Sequence, residues 1–404
     1  MKTSDNVYQK GLCIGCGLCS SLNADVIKMS LDDVGFYKPI ATQPINVEEY
    51  CPGVKIDAQL AITTDLEKVW GPVHSAKTGF ATNSEIRHTA SSGGGITGFV
   101  YYLLKSGFVD GIIHVGVDPE NPMYNKVGVS NEFKQLVQKS GSRYAPVPTL
   151  INVKQILDSS DEKYAFVGKP CDVAGISNFL TLYPEYVERI KIKISFFCAG
   201  MPSMNGTKSV LNKLQVGHNL TSLKYRGNGW PGSFTATDTT GKTGSMSYND
   251  SWGKILGRTI HLRCKICPDG IGMLSDVTFA DGWEEKDGYP SFEEKPGESL
   301  IILRNAFASD LLDNAVKAGY MGLNDQNYNL EQLRSIQKYQ WQRRIVVGSR
   351  IASYVLLEAF KPSFKGLYIL SNTFRSNPIV IMKNVIGFIK RQRKHKRQQI
   401  TVFK

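Results

Sequence analysis

Apolar and polar residues along the middle of the chain fall into short blocks whose period changes from one block to the next. The blocks VDGIIHVGV (109–117), KYAFVG (163–168), KIKISFFC (191–198), DVTFAD (276–281) and SLIILR (299–304) are β-branched or aromatic runs bounded by Gly, Pro, Asp or Lys. That is the pattern of strands. Between them ITGFVYYLLKSG (96–107), AGISNFLTLY (174–183) and MNGTKSVLNKLQ (204–215) carry helical spacing. Such alternation predicts a largely parallel sheet with both faces covered. Residues 231–255, rich in Gly, Ser and Thr, predict an insertion with short antiparallel strands, and residues 306–372 read mainly as helix.

The two ends differ from this middle. Residues 1 to about 70 hold few long periodic segments and many turn-formers, which suits a small unit organised by ligands more than by an apolar core. Near the other end Ser376, Asn377 and Pro378 make a helix start, a capping side chain followed by proline at the first helical position. At 100° per residue Ile379, Met382, Val385, Ile386 and Ile389 share one side, and Lys383, Gly387, Lys390 and Arg391 the other. The tail is thus expected to be a basic amphipathic helix.

Composition sharpens this division. The chain has 404 residues, 42% apolar and 21% charged, which excludes a disordered chain and leaves room for two or three packed units. Its net charge of +12 is localised: no acidic residue follows Glu358, whereas eleven of the 48 basic residues do. Residues 1–358 therefore hold 37 basic against 36 acidic residues and are near neutral. No aromatic-interleaved groove or recognition motif accompanies the basic tail, so no nucleic-acid partner is expected. No apolar run reaches 18 residues and MKTSDNVYQKGL lacks the apolar core of a secretory signal, so a cytoplasmic location is expected. Thiols there stay reduced, and the eight cysteines must be read as metal or redox chemistry.

They form two sets. Cys13, Cys16 and Cys19 with Cys51-Pro52 downstream have the C-x2-C-x2-C run and separate C-P of a bacterial-ferredoxin half. Gly15 and Gly17 let backbone amides turn towards the sulfurs of a 4Fe-4S cubane. Zinc sites usually bring their ligands as two separated pairs, so the iron-sulfur reading is preferred over zinc. In the second set Cys171 and Cys198 follow strands and Cys264-x2-Cys267 supplies a pair. Strand ends on one edge of a parallel sheet lie side by side, where ligands of open α/β sheets gather. A second 4Fe-4S cluster is the expectation there, with structural zinc or unligated buried cysteines as alternatives. The fold class is α+β or α/β: a ferredoxin-like iron-sulfur domain (1–72), an α/β domain with a mixed, largely parallel sheet (73–305), a helical region (306–372) and the tail (373–404).

Ser91-Ser92-Gly93-Gly94 precedes the helix near Ile96 and makes a candidate phosphate cradle, since glycines let backbone N–H groups approach an anion at a helix N-terminus. It is neither the dinucleotide fingerprint nor a Walker loop, and a plain turn is the competing reading. Arg143-Tyr144 after Gly141, and Arg226 within Tyr225 to Pro231, pair an arginine with an aromatic ring in Gly-rich segments suited to a flat ring bearing phosphate. His88 beside the glycine loop and His261 near Cys264 have the better histidine neighbourhoods, whereas His114 within an apolar strand reads as a core residue. Lys169 is a candidate anion ligand or proton donor, or a solvated loop lysine.

In order along the chain, Ser91 to Gly94, VDGIIHVGV, Gly141 to Tyr144, Gly168-Lys169-Pro170-Cys171, Phe197-Cys198-Ala199-Gly200, Arg226 to Pro231, Cys264-x2-Cys267 and Asp276 to Trp283 resemble one family. It is the beta-subunit family of coenzyme factor-420 (deazaflavin) hydrogenases and dehydrogenases, iron-sulfur flavoproteins related to 7-hydroxymethyl chlorophyll a reductase. The resemblance implies a body that binds FAD and two 4Fe-4S clusters, with Ser91 to Gly94, Arg143 and Lys169 around FAD and both cysteine sets as cluster ligands. Two positions depart from the family pattern. Lys169 stands where threonine is usual, and Ala280-Asp281-Gly282-Trp283-Glu284 replaces Gly-Asp-x-Trp-Gly.

A cluster carries one electron while most organic reductions need two, and a flavin converts between them. The expected activity is an oxidoreductase that takes electrons from ferredoxin or a similar donor through the Cys13 cluster, then the Cys171 cluster, to FAD and an organic substrate. His88 and Lys169 are the candidate catalytic proton donors. The tail suggests peripheral contact with an anionic membrane surface, and with it a nucleotide- or lipid-linked sugar of surface-polysaccharide synthesis as substrate. The alternatives are a deazaflavin-coenzyme-linked oxidoreductase and a non-catalytic electron-transfer subunit of a larger complex.

Overall fold

A computed structural model describes residues 2–402 apart from positions 228, 287, 288, 292 and 294. Eight strands form the main sheet: β1 (Ser75–Ala81), β2 (Gly111–Val117), β3 (Asn125–Ser130), β4 (Tyr164–Val167), β5 (Ile190–Phe196), β6 (Val277–Asp281), β7 (Ser299–Leu303) and β8 (Met321–Asp325). Their order is β8-β1-β7-β6-β5-β4-β2-β3. The central strands β6, β5, β4 and β2 pair in parallel. The other pairings, towards β8 on one side and β3 on the other, are antiparallel. The sheet is therefore mixed, with a parallel heart.

Continuous apolar runs make this possible. Every residue of YAFV in β4 and SLIIL in β7 is buried, as strands covered on both faces require. Alternate residues feed opposite cores. Ala165, Val167, Ile301 and Leu303 pack with α1 (Gly95–Lys105) and α3 (Ala306–Lys317). Phe166 joins α2 (Pro170–Leu182), which contributes Val173, Ile176 and Phe179. Each buried Val, Leu, Ile or Phe side chain among them contributes roughly 1.5–3 kcal/mol by leaving water. The Gly-, Ser- and Thr-rich insertion forms the expected antiparallel strands, Ser233–Asp238 and Thr243–Ser247, joined by Leu220–Lys224.

Residues 306–372 are not all helical. Met321–Asp325 adds the edge strand β8 and Ser363–Lys365 pairs in parallel with Lys55–Asp57. Both strands are short and half polar, so neither carries an alternation that sequence reading detects. The second pairing ties the N-terminal unit to the C-terminal one. A single core joins Val7, Leu12 and Val54 to Phe179, to Tyr354 of α4 (Lys338–Glu358) and to Phe388 of α5 (Pro378–Val402).

The tail helix begins as expected, with Asn377 Oδ1 accepting from the Ile379 amide at 2.8 Å. It is docked along α4 through Phe388 and Gln392, which are 0% and 2% exposed. Gln392 donates to Glu358 at 2.5 Å, Lys396 and Lys10 pair with the same carboxylate, and Arg350 donates to Asn384 at 2.5 Å. Ile379, Met382 and Ile386, three of the five residues of the expected apolar stripe, face outward beside Lys383 and Lys390. The side chains of Lys394, Arg397 and Lys404 lie outside the described residues.

Candidate functional site

The carboxyl ends of β2, β4, β5 and β6 open onto a cavity of about 890 Å³. Its floor is the edge where parallel strands aim their ends, so the residues that follow each strand converge although distant in sequence. After β4 comes Lys169. Its ammonium lies 2.6 Å from Asp172 and 3.2 Å from Thr149 Oγ1. Burial disfavours its charge, but Asp172 and the neighbouring thiols Cys171 and Cys198 outweigh that and hold its pKa above the ordinary lysine value. Asp172 itself caps α2, accepting from the Lys169 amide at 3.1 Å, with proline at the first helical position.

At the end of β6 Asp281 pairs with Arg226 at 2.8 Å. Arg226 is only 3% exposed, and burial opposes its charge, yet Asp281 raises its pKa. The guanidinium lies 5.2 Å from the Trp283 ring centre and 4.9 Å from that of Tyr248, while Trp230 stacks on Trp283 at 4.4 Å. A cation and flat rings thus form one wall. Arg143 and Tyr144 line another part of the cavity. Arg143 spends its donors on Asn125 Oδ1 at 2.7 Å, Leu223 O at 2.7 Å and Pro122 O at 2.8 Å. Its guanidinium braces the wall.

Cys171, Cys198, Cys264 and Cys267 line a small void that shares Lys169, Cys198, Gly200 and Met201 with the large cavity. Burial, then the charge of Cys264, pushes the Cys198 thiol up to about 12. The Met201 amide approaches Cys264 Sγ at 3.5 Å. Buried thiols that repel one another as thiolates, with amides aimed at sulfur, fit a cationic inorganic core. Among the described residues no group of three His, Cys, Asp or Glu side chains is placed to hold a single metal ion.

The first set obeys the same chemistry. The amide of Gly15 points at Cys13 Sγ at 3.4 Å, and those of Leu18, Ser20 and Gly53 approach Cys16, Cys19 and Cys51. Gly15 and Gly17 have φ of 67° and 80°, so the left-handed backbone that turns these amides inward requires glycine. Burial, then Cys51 and Cys19, raises the Cys13 thiol well above its usual value. The two sets are adjoining. Ile14 reaches the second void, and Arg263, one residue before Cys264, donates to Gly53 O at 3.1 Å and Pro52 O at 3.2 Å.

Ser91 and Ser92 line the cavity, and the hydroxyl of Ser91 accepts from the Ser142 amide at 3.0 Å, joining two of the segments singled out above. Gly93 and Gly94 do not line it. They are buried, and a Cβ on Gly93 would strike Gly297 O and one on Gly94 would strike Ile86, so their small size serves loop packing. His88 is exposed at the end of a short helix and is likewise not part of the cavity wall. Asn228 lies outside the described residues. Sequence reading missed His114 as a wall residue. It bonds Ser130 Oγ at 2.8 Å, and burial, then Lys139, pushes its pKa down to about 3. It also missed Asp281 as the partner of Arg226, although Asp281 stood in one of the departures noted above.

Residues 76–154 match the profile described as "Coenzyme F420 hydrogenase/dehydrogenase, beta subunit N-term" and residues 161–328 the profile of the corresponding C terminus. Together they take in more than half of the chain. The coenzyme F420 hydrogenase subunit beta of Methanothermobacter thermautotrophicus is 25% identical over 254 residues, 59% of this chain and 80% of the relative. The coenzyme F420-dependent sulfite reductase of Methanocaldococcus jannaschii is 29% identical over 136 residues, 30% of this chain and 21% of the relative. Among solved structures, a chain of the F420-reducing [NiFe] hydrogenase complex from Methanosarcina barkeri shares the fold, with a TM-score of 0.58 at 18% identity over 76% of this chain and 99% of that one. Motif order and both profiles agree, and the protein belongs to the coenzyme F420 hydrogenase/dehydrogenase beta-subunit family.

Proposed function

We propose that the chain is an electron-transfer oxidoreductase of the F420-linked type, exchanging single electrons with a partner protein and electron pairs with a flat organic molecule in the large cavity. One observation carries this reading: the void lined by Cys171, Cys198, Cys264 and Cys267 opens against the cavity wall at Lys169 and Cys198. A one-electron site and a two-electron site side by side are what such an exchange needs. The hydrogenase subunits and the sulfite reductase named among the relatives support a redox role, and they favour a deazaflavin or a complexed partner over a sugar-linked substrate.

Cys13, Cys16, Cys19 and Cys51 would hold one 4Fe-4S cluster, and the strand-end set the second. The large cavity is where FAD would be held, and when bound it would supply the change between one- and two-electron chemistry. Arg226, fixed by Asp281, offers a cation beside flat rings, and Ser91 and Ser142, whose hydroxyls are bonded to each other, line the same cavity. Lys169 holds a proton between Asp172 and the cavity, which suits it to orient an anionic ring edge. The ferredoxin-like donor stands as the expected partner. Ile379, Met382 and Ile386, interleaved with lysines, support peripheral contact of α5 with an anionic membrane. Flotation with phosphatidylglycerol vesicles, absent with phosphatidylcholine and abolished by Met382→Glu/Ile386→Glu, tests that contact.

The deciding experiment is anaerobic purification with iron, sulfide and flavin quantification, followed by turnover of F420 with a chemically reduced ferredoxin. About eight iron atoms and one flavin per chain are expected, given two four-iron clusters. Absence of flavin or of acid-labile sulfide refutes the reading. Turnover of nucleotide-sugars in place of F420 would move the substrate assignment to the sugar-linked class.

A further inference from the structure

Three arginines, Arg304, Arg343 and Arg344, are buried on the C-terminal side of the second thiol set. Two of them spend their donors on the backbone. Arg304 bonds the carbonyls of Trp70 at 2.5 Å, Ile271 at 2.6 Å and Pro72 at 3.1 Å. Arg344 bonds those of Val69 at 3.0 Å, Lys68 at 3.0 Å, Leu367 at 2.9 Å and Pro268. Arg343 differs. It is 3% exposed, and its Nε and Nη2 are buried without an acceptor.

Leaving a buried cationic donor unpaired is costly, several times the net worth of an ordinary hydrogen bond. The arrangement persists only if something on that side accepts. The guanidinium lines the void of Cys171, Cys198, Cys264 and Cys267. It lies so close to Gly270 that a Cβ there would overlap it, so the position must lack a side chain. Among the described residues the carboxylate lining the void, that of Asp269, already accepts from the amides of Ile271 and Met273 at 3.0 Å each, and Nδ1 of His261, also in its lining, accepts from the Arg263 amide at 3.1 Å. The groups whose charge acts on the guanidinium there are the sulfurs of Cys267, Cys198 and Cys264.

We propose that Arg343 is the built-in counter-charge of the second cluster, placed to stabilise its reduced, more negative state. The inference rests on reading the second thiol set as a cluster site. Reduction adds one electron to the cluster from an external donor, with no bond made or broken, so the site gains one negative charge. A fixed cation in a dry pocket favours that state over the oxidised one. Arg343 lies on α4, beyond residue 328 where the family profile ends, so the profile does not include it. It is a positioning and tuning residue, with no direct role in substrate chemistry.

The test is a potentiometric titration of the full, anaerobically purified chain, followed by electron paramagnetic resonance, for wild type, Arg343→Gln and Arg343→Lys. Arg343→Gln is expected to lower the reduced-to-oxidised ratio of one cluster at least tenfold at fixed potential, which is 59 mV for a one-electron couple. The other cluster should not move. Arg343→Lys, which keeps the charge but loses the fork, should shift by less than half as much. Iron and sulfide are counted in each sample, with Cys198→Ser as the reference for a chain lacking the second cluster. Wild type without that cluster overturns both the site reading and the proposal. Full iron with an unmoved midpoint in Arg343→Gln overturns the proposal alone, and a lysine variant shifted as far as the glutamine one overturns the role of charge.

Discussion

Asp281→Asn should destabilise the protein through Arg226. The substitution is nearly isosteric, so packing is conserved, and what changes is the charge facing a guanidinium 3% exposed and 2.8 Å away. Removing one partner of a buried pair costs about 3–5 kcal/mol because the other charge is stranded. The Asp281 side chain keeps 21% of its surface in contact with the cavity, so water screens part of the loss and the low end, about 3 kcal/mol, applies. Unfolding entropy is about 2.1 cal/mol/K per residue, so over 404 residues that corresponds to a fall of about 3–4 °C in the midpoint. Thermal unfolding followed by circular dichroism reads it. Arg226→Met/Asp281→Leu, which removes both charges, should recover most of the loss and show a coupling of about 2 kcal/mol. An Asp281→Asn midpoint within 1 °C of wild type, on the order of 1 kcal/mol here, refutes the buried-pair argument. So does a double variant that loses the sum of both singles.

Three further outcomes follow from the geometry. Cys198→Ser and Cys16→Ser should each lower iron and sulfide by half, from about eight to about four atoms per chain, and an unchanged count in either variant removes that cysteine set from the ligand list. Because burial holds His114 at about 3, below the ordinary 6.5, the unfolded chain binds the proton first. Stability is then full above about pH 6.5 and is lost as pH falls towards 3, at up to about 1.4 kcal/mol per unit. His114→Gln should flatten that part of the urea-midpoint against pH curve, and a slope equal to wild type counts against it. Phe388→Ala removes a ring that is 0% exposed and should cost about 3–5 kcal/mol at the α4–α5 contact. Amide exchange across 378–393 should accelerate markedly, and protection equal to wild type there excludes the docked helix.

The inner strands were legible because their apolar runs are continuous: YAFV, which pairs in parallel, and SLIIL, which pairs antiparallel, can be little else than strands covered on both faces. The carboxyl-edge argument then brought Lys169, Cys171 and Cys198 together without any further information. The cysteine run announced its own geometry through Gly15 and Gly17. Long-range partners did not show. Asp281 and Arg226 are 55 positions apart, Arg343 reaches the void of the second thiol set from far along the chain, and no local period marks such pairs. The glycines at 93 and 94 misled for a related reason. A residue without a side chain serves equally to admit a phosphate or a neighbouring backbone, and only the packed loop at Gly297 distinguishes the two. The tail stripe failed in a third way, because Phe388 and Gln392, one strongly apolar and one not, share the buried face that a hydrophobicity wheel assigns elsewhere.

The pairing of Lys55–Asp57 with Ser363–Lys365, together with the hydroxyl of Tyr354 donating to Lys10 O, has a consequence for biogenesis. The segment bearing the first four thiols leaves the ribosome well before the strand and helices that close over it. At roughly 5–20 residues per second the interval between the two is on the order of 15–60 s. Throughout that time the nascent thiols stand uncovered, so metal delivery to them has a window that ends when that strand and those helices emerge, and oxygen reaching the polysome has the same one.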